Sequence, residues 1–202
     1  MTGSALFWTA FTPFILLVWL VQRLPGVRGI GGLLFACLVA VGVVLVGCFG
    51  RCVAYWSASL SANLSVVLAL LLIVSIAARA GFSAAFRARE WRAAWVFGAF
   101  SSLLLYPSPK ALGWQSFDSY SLGWPWLDWR LSSLLFASVA AVAGFLVWRG
   151  NRFGWVLVAA SLVYLFRIQE SQNYWDYVVD PLYAAVSLVA VIKMSVARLR
   201  GC

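Results

Sequence analysis

Residues 31–50 read GGLLFACLVAVGVVLVGCFG, twenty residues without one charged side chain. A helix of twenty residues is about 30 Å long, which matches the hydrocarbon core of a bilayer. Arg28 precedes the stretch and Arg51 follows it, so basic side chains stand where the membrane–water boundaries would be. The stretch therefore predicts a transmembrane helix, and it sets the pattern for the rest of the chain.

The same pattern recurs along the sequence. Seven apolar segments are long enough to be considered as spans, although the fourth is short and the apolar part of the sixth ends before Arg167. The sixth helix must therefore continue into polar sequence or tilt little. The seven predicted spans are residues 5–21, 31–50, 57–78, 91–106, 131–148, 153–174 and 181–197.

Composition supports a lipid environment. The chain of 202 residues is 64% hydrophobic and 10% charged, whereas soluble domains have about 45–50% apolar and about 25% charged residues. The net charge of +9 does not indicate a nucleic-acid partner, because the basic residues lie between apolar runs and are better explained as topology signals and contacts to anionic lipid. We predict an all-α, polytopic integral membrane bundle of about seven transmembrane helices, forming a single domain over residues 1–202.

The basic residues also predict an orientation. Arg residues concentrate in the odd-numbered connections and the tail, whereas the even-numbered connections hold five of the six acids. By the positive-inside rule the N-terminus is outside and the C-terminus is cytoplasmic. The excess of Arg over Lys is typical of GC-rich bacteria, so the predicted location is a bacterial inner (plasma) membrane. The acids outside are Asp118, Asp128, Glu170, Asp176 and Asp180.

Several chemistries are disfavoured. The chain has no histidine, the commonest general base and metal ligand. Walker A, G-x-S-x-G, H-E-x-x-H and C-x-x-C motifs do not occur. We therefore predict no catalytic residue, no metal site and no cofactor, and the absence of these motifs favours a protein that is not an enzyme while leaving an enzyme open.

Two of the predicted outer connections are unusually rich in aromatic or polar residues. The connection between helices 4 and 5, PSPKALGWQSFDSYSLGWPWLDWR at residues 107–130, is long, aromatic and broken by Gly and Pro. We predict that it lies in the outer interface. The connection at residues 167–180, RIQESQNYWDYVVD, ends in Asp180-Pro181, which is typical of a helix cap and first helical position.

Together these connections supply a candidate ligand site. Aromatic rings stack on flat or apolar groups, while carboxylates and amides hydrogen-bond hydroxyls and amines. A glycan, a lipid headgroup or a cationic group would suit them, and Arg167 could bind a phosphate or pair with Glu170. Interface aromatic belts and capping remain the ordinary explanation. The predicted ligand-binding residues are Asp118, Arg167, Glu170, Asn173, Trp175 and Asp176.

Small side chains predict where helices pack. Ser57, Ser61 and Ser65 share one face of the third span, and the fifth span carries Ala137, Ala140, Ala141 and Gly144. Such faces let helix backbones approach closely in lipid. Near the outer end of the second span, a bridge between Cys48 and Cys52 would need that helical turn to unwind.

Three functions remain open. The first is a non-enzymatic accessory or scaffolding subunit of a bacterial cell-envelope system, because ionisable residues are lacking at mid-membrane depth. The second is a binder, flippase or transporter of a polar-headed lipid or glycan through an outer-leaflet acidic-aromatic cleft. The third is a small membrane enzyme acting on a lipid-linked substrate. The predicted partners are membrane lipids and another membrane protein, with no nucleic acid.

Overall fold

The computed structural model describes residues 3–45, 47–48, 51–52, 64–82, 86–106, 119–125, 129–169 and 171–200. In that part of the chain the fold is helical, as the sequence predicts, apart from one two-residue strand pair. Eight α-helices and one 3₁₀ helix, Ser119–Gly123, are present there. The α-helices are α1 Gly3–Val21, α2 Gly29–Leu45, α3 Val66–Ala80, α4 Ala88–Leu105, α5 Trp129–Trp148, α6 Phe153–Leu165, α7 Tyr174–Val178 and α8 Pro181–Arg200.

The chain forms two compact units. The first contains α1, α2 and most of α3, and the second contains α4 to α8 with the 3₁₀ helix. The short segment Ser65–Val67 is grouped with the second unit. The single domain over residues 1–202 stays a prediction.

The first unit is held by the packing of α1 on α2. Small side chains make this contact close, since Ala36 and Ala40 are fully buried against Val18. The indole N–H of Trp19 donates to the hydroxyl of Ser75 at 3.2 Å. The guanidinium of Arg23 lies over the face of the Trp19 ring, 4.6 Å from the ring centre, which is a cation–π contact.

The second unit is held by two close helix contacts. Where α4 meets α8, a Cβ placed on Gly98 would lie 2.2 Å from the Ser187 hydroxyl oxygen, so only glycine fits. The hydroxyl of Tyr183 donates to the carbonyl of Ala94 at 2.6 Å across the same contact. Where α6 meets α5, a Cβ on Gly154 would lie 2.7 Å from a backbone carbonyl oxygen of α5.

Glycines with positive φ end two helices. Gly81 (φ 97°) follows α3 and Gly150 (φ 64°) follows α5. After Gly150, the N–H of Asn151 donates to the carbonyl of Leu146 at 2.8 Å, and after Gly81 the N–H of Phe82 donates to Ala77 at 3.1 Å. Both endings are Schellman motifs, which satisfy the last carbonyls of each helix.

The second predicted span is too long at its C-terminal end. The helix stops at Leu45, and residues Gly47–Cys48 pair with Arg51–Cys52 as short antiparallel strands. The predicted helical boundary at residue 50 is therefore wrong. The backbone at the two cysteines is not helical, and Cys48 stands opposite Arg51. Their side chains lie outside the described residues, so a bridge stays untested.

The third predicted span, residues 57–78, is interrupted within its described part. Leu64 and Ser65 are not helical and α3 begins at Val66. Ser65 therefore does not lie on a helical face, and its backbone N–H instead donates to the carboxylate of Asp180 at 2.7 Å. Ser57, Ser61 and the rest of residues 53–63 lie outside the described residues.

The sixth predicted span, residues 153–174, is wrong in its second half. Helix α6 ends at Leu165, and Arg167 has a positive φ of 51° that turns the chain out of the helix. A new short helix, α7, begins at Tyr174. Asn173 uses its side chain to cap this new helix, and that local hydrogen bond competes with continuation of α6.

The small-residue face predicted for the fifth span is not used within the described structure. Ala137, Ala140, Ala141 and Gly144 are exposed, and a Cβ placed on Gly144 would meet no atom within 4 Å. The buried side of α5 carries Val139 and Ala143 instead. The close contact is made by Gly154 of α6, which needs no small residue on that face of α5.

By length and composition, one helix in the described part of the chain could cross a membrane. This is α8, with 20 residues and a mean hydropathy of 1.7. The shorter apolar helical stretches are Ala10–Val21, Gly29–Leu45, Val66–Ala80, Ser132–Trp148 and Phe153–Leu165.

Candidate functional site

The segment before α8 folds back onto the 3₁₀ helix, and Asn173 organises this contact. Asn173 has extended backbone angles and is the N-cap of α7, where its side-chain oxygen accepts the N–H of Trp175 at 2.9 Å. Its side-chain amide donates to the carbonyl of Tyr120 at 3.0 Å. The residue is fully buried, and both ends of its amide are used inside the chain.

Trp175 is the anchor of the same contact. It is 3% exposed, and its indole N–H donates to the carbonyl of Ser119 at 2.9 Å. Gly123 allows this close approach, because a Cβ there would lie 1.7 Å from the side-chain oxygen of Asn173 and 2.9 Å from Cδ1 of Trp175. We refer to the contact as the clasp, formed by Ser119, Tyr120, Gly123, Ser171, Asn173, Trp175 and Asp176.

Asp176 lies at the outer edge of the clasp. The hydroxyl of Tyr120 is 3.1 Å from each carboxylate oxygen and donates to them. The hydroxyl of Ser171 donates to the same carboxylate. Burial, reinforced by the charge of Asp176, raises the pKa of Tyr120 to about 12. The phenol therefore remains a hydrogen-bond donor to Asp176 through the neutral pH range.

An aromatic cluster packs beneath α7. The rings of Tyr164 and Tyr174 have centroids 4.8 Å apart, and Phe136 lies 5.2 Å from Tyr174. The Tyr174 hydroxyl is hydrogen-bonded to that of Ser161 at 2.7 Å. Tyr177 donates to the carbonyl of Ser171 at 2.8 Å. These hydroxyls therefore have partners within the chain, and the rings form an internal support for α7.

Asp180 joins two helix starts. One carboxylate oxygen accepts the N–H of Tyr183 at 2.8 Å, which confirms the predicted capping of α8. The other accepts the N–H of Ser65, the residue just before α3, at 2.7 Å. Asp180 is 4% exposed. Since the helix N-terminus favours negative charge, this buried carboxylate is stabilised by the groups that it caps.

The structure brings together three of the six predicted ligand residues. Asn173, Trp175 and Asp176 belong to the clasp, whereas Arg167 is exposed on the turn after α6. Asp118 and Glu170 lie outside the described residues, as does the predicted pairing of Arg167 with Glu170. The six residues as a set therefore stay a prediction.

Sequence reasoning missed the residues that complete the clasp. Tyr120, Ser171 and Gly123 each have a specific role, but the sequence marks the region of Tyr120 and Gly123 only by the aromatic character of residues 107–130. A local signal was available, because Asn173 followed by an acid three residues later is an N-cap pattern. The partner on the 3₁₀ helix is set by tertiary contact and has no local signal.

The chemistry open to the clasp is limited. Among the described residues, no group of three or more His, Cys, Asp or Glu side chains could hold a metal ion. No family model, curated protein or solved structure matches this chain.

Proposed function

We propose that this chain is a polytopic protein of a bacterial inner membrane with about seven crossings, an outer N-terminus and a cytoplasmic C-terminus. We further propose that it acts as a non-enzymatic accessory or scaffolding subunit of a cell-envelope system. The observation that carries the second proposal is the clasp, because its polar side chains are committed to partners inside the chain.

Exposed apolar side chains support the membrane placement. Leu34 is 62% exposed, Leu38 is 73% exposed and Leu45 is 74% exposed, and their spacing places all three on one face of α2. Large contiguous apolar surfaces are rare on proteins surrounded by water and are favourable against lipid. Helix α8, at about 30 Å, is long enough to cross the hydrocarbon core by itself.

The short helix α6 fits this placement as part of a broken crossing. Its 13 residues extend about 20 Å, less than the hydrocarbon thickness of about 30 Å. A break in a membrane helix is tolerated where protein covers the freed backbone groups. Beyond the exposed turn at Arg167, Asn173 and Trp175 are buried and bond to the backbone of the 3₁₀ helix, so protein covers the chain there.

The committed polar groups argue against a ligand cleft or a catalytic pair. Asn173 and Trp175 use their side-chain donors within the clasp, and both oxygens of Asp180 accept backbone N–H groups. A recognition site needs groups that can bond a ligand without leaving buried partners unsatisfied. These residues instead stabilise one arrangement of the chain, which suits a structural role.

The exposed small-residue face of α5 offers a contact surface consistent with that role. Ala137, Ala140, Ala141 and Gly144 present almost no side-chain volume. In lipid, helices associate through faces of this kind because the backbones can approach closely. A helix of another membrane subunit is the occupant that the proposal expects.

The test is purification of the tagged chain from its native membrane in mild detergent, with quantification of companion proteins. We expect one companion at constant stoichiometry, retained by Asp176→Asn and reduced by Ala141→Leu. Ala185→Leu, a matched change at an exposed alanine of α8, should retain it. A chain that purifies alone from membranes, or companions that Ala141→Leu and Ala185→Leu affect equally, would contradict the scaffolding role.

One observation favours a second candidate function, which is the binding of a polar-headed lipid or glycan. Asp176 is only partly buried and Tyr120 is 38% exposed, so their hydrogen-bonded pair is accessible from one side. If Asp176→Asn abolished a cellular phenotype while protein level and companion were unchanged, this second function would replace the first.

A further inference from the structure

A groove between α4 and α8 lies away from the clasp and has a different chemistry. Its volume is about 380 Å³, and three of its eight lining residues are arginines. The lining residues are Arg89, Arg92, Ala93 and Val96 of α4, and Val191, Met194, Ser195 and Arg198 of α8.

The groove is graded from charged to apolar along both helices. On α4, Val96 follows Arg92 by four residues, and on α8, Met194 precedes Arg198 by four, so each pair lies on one helix face. The arginines stand at the N-terminal end of α4 and the C-terminal end of α8, which are the predicted cytoplasmic ends. The apolar residues stand one or two turns deeper, where lipid chains would be.

One arginine is held in place from outside the groove. The Arg89 guanidinium donates to the carbonyl of Gly150 at 2.9 Å, in the Schellman turn that ends α5. This contact fixes one side of the guanidinium and leaves its remaining N–H groups to bond an anion. Arg89 is thus positioned by the fold, which reduces the conformational entropy lost on binding.

The nearest acid in the sequence is already engaged. Glu90 is 1% exposed and accepts the N–H of Arg87 at 2.6 Å. Its other oxygen lies 3.8 Å from Nε of Arg152. Glu90 therefore neutralises charge at the start of α4 and the α5–α6 turn, and the charge of the groove is complementary to an anion.

We propose that this groove binds the headgroup of an anionic phospholipid of the cytoplasmic leaflet. The phosphate bonds the guanidinium groups of Arg89, Arg92 and Arg198, and an acyl chain lies along Val96, Val191 and Met194. Guanidinium groups match phosphate oxygens in a bidentate geometry. The apolar floor selects a lipid over a free phosphate, because only a lipid would bury it. The inference depends on the proposed membrane placement for its source of lipid.

The first test measures lipid retention by the purified full chain in detergent micelles, using native mass spectrometry. Phosphatidylglycerol and phosphatidylcholine are added separately over a concentration series. We expect phosphatidylglycerol to bind about tenfold more tightly, because both headgroups carry a phosphate but only phosphatidylcholine also carries a choline cation, which the three arginines would repel. Equal binding of the two lipids would overturn the proposal.

Variants locate the site. Arg92→Gln with Arg198→Gln should weaken phosphatidylglycerol binding about tenfold. Arg149→Gln with Arg200→Gln removes the same charge from exposed residues outside the groove and should change binding less than about twofold. Equal losses in the two pairs would contradict a groove site. Helical content measured by circular dichroism must be unchanged in both double variants. The double variant Val96→Ser with Met194→Ser leaves the charge unchanged and should also weaken the binding of phosphatidylglycerol.

Competition separates the lipid from the free anion. Inorganic phosphate and glycerol phosphate should fail to displace phosphatidylglycerol when present at the same concentration. Displacement by either would show a general anion site and overturn the lipid assignment. Membrane fractionation is scored separately: if the chain is in the membrane fraction and the groove variants have no effect, only this inference fails. A chain found in the aqueous fraction would contradict the proposed function.

Discussion

The carboxylate of Asp180 accepts the backbone N–H of Ser65 at 2.7 Å, across 115 residues of sequence. The same carboxylate caps α8 through Tyr183, so one buried side chain satisfies donors at two helix starts. Buried donors that lose their acceptor carry a desolvation cost. This side chain should therefore make a measurable contribution to the stability of the two helix starts that it caps.

Replacing Asp180 by Ala should lower the free energy of unfolding by about 2–5 kcal/mol, because two buried N–H groups lose their acceptor. Asp180→Asn retains one acceptor oxygen and should cost less. The measurement is reversible unfolding in mixed micelles followed by circular dichroism. Leu182→Ala, in the same helical turn and 41% exposed, is the control, and a loss as large as that of Asp180→Ala would refute the double-cap explanation.

Gly123→Ala should open the clasp. The new Cβ would lie 1.7 Å from the Asn173 side-chain oxygen, and overpacking of this kind costs about 1–3 kcal/mol. Amide hydrogen exchange in residues 171–178 should accelerate. The matched control is Gly144→Ala, which meets no atom within 4 Å and should stabilise α5 by about 0.5–1 kcal/mol. Similar stability changes in both variants would exclude the steric explanation.

Gly98→Ala should loosen the contact between α4 and α8, because its Cβ would lie 2.2 Å from the hydroxyl oxygen of Ser187. We expect a loss of about 1–3 kcal/mol. Ser187→Gly in the same chain should restore part of that loss by removing the opposing atom. A double-mutant cycle measures this coupling, and additive effects would mean that the two residues do not meet.

Tyr120 should ionise at unusually high pH, since burial and the charge of Asp176 raise its pKa to about 12. A raised pKa means that the neutral phenol stabilises the fold. That contribution is complete below pH 10 and is lost as pH rises through about 12. The check is phenolate absorbance, taken as the difference between the protein and Tyr120→Phe.

Asp176→Asn should move that titration toward lower pH, because it removes the negative charge beside the phenol. An unchanged midpoint would mean that burial alone sets the value. Ser171→Ala, which keeps the carboxylate and removes only a second donor to it, serves as the comparison.

Much of the helical fold follows from apolar run length. The boundaries of α5 and α8 lie within a few residues of the predicted segments 131–148 and 181–197, because apolar periodicity, Pro181 and Asp180 mark them locally. The ends at Leu45 and Leu165 were missed. At both places the composition stays helix-compatible for several more residues, and the chain turns because strand pairing or a new cap competes.

The candidate site was less predictable. The chemical character of three residues predicts a ligand site at Asn173, Trp175 and Asp176. They do lie together, but Asn173 and Trp175 bond to each other and to the backbone of the 3₁₀ helix. A polar side chain in a sequence does not reveal whether its donors face a ligand or a carbonyl of the same chain. The roles of Tyr120 and Gly123 arise from contact with a segment about fifty residues further along the chain. The local sequence around one element does not predict such a contact.

The engagement of Glu90 by Arg152 and by the Arg87 N–H has a consequence for ionic strength. The arginines of α4 and α8 act as a fixed positive field whose range is the Debye length, about 10 Å at 0.1 M salt. Binding of an anionic lipid to this end of the second unit should therefore weaken steeply as salt is added. The clasp, at the opposite end of the same unit, is held by hydrogen bonds between largely buried groups, and these bonds act only at short range. The clasp should therefore keep its structure as the salt concentration rises.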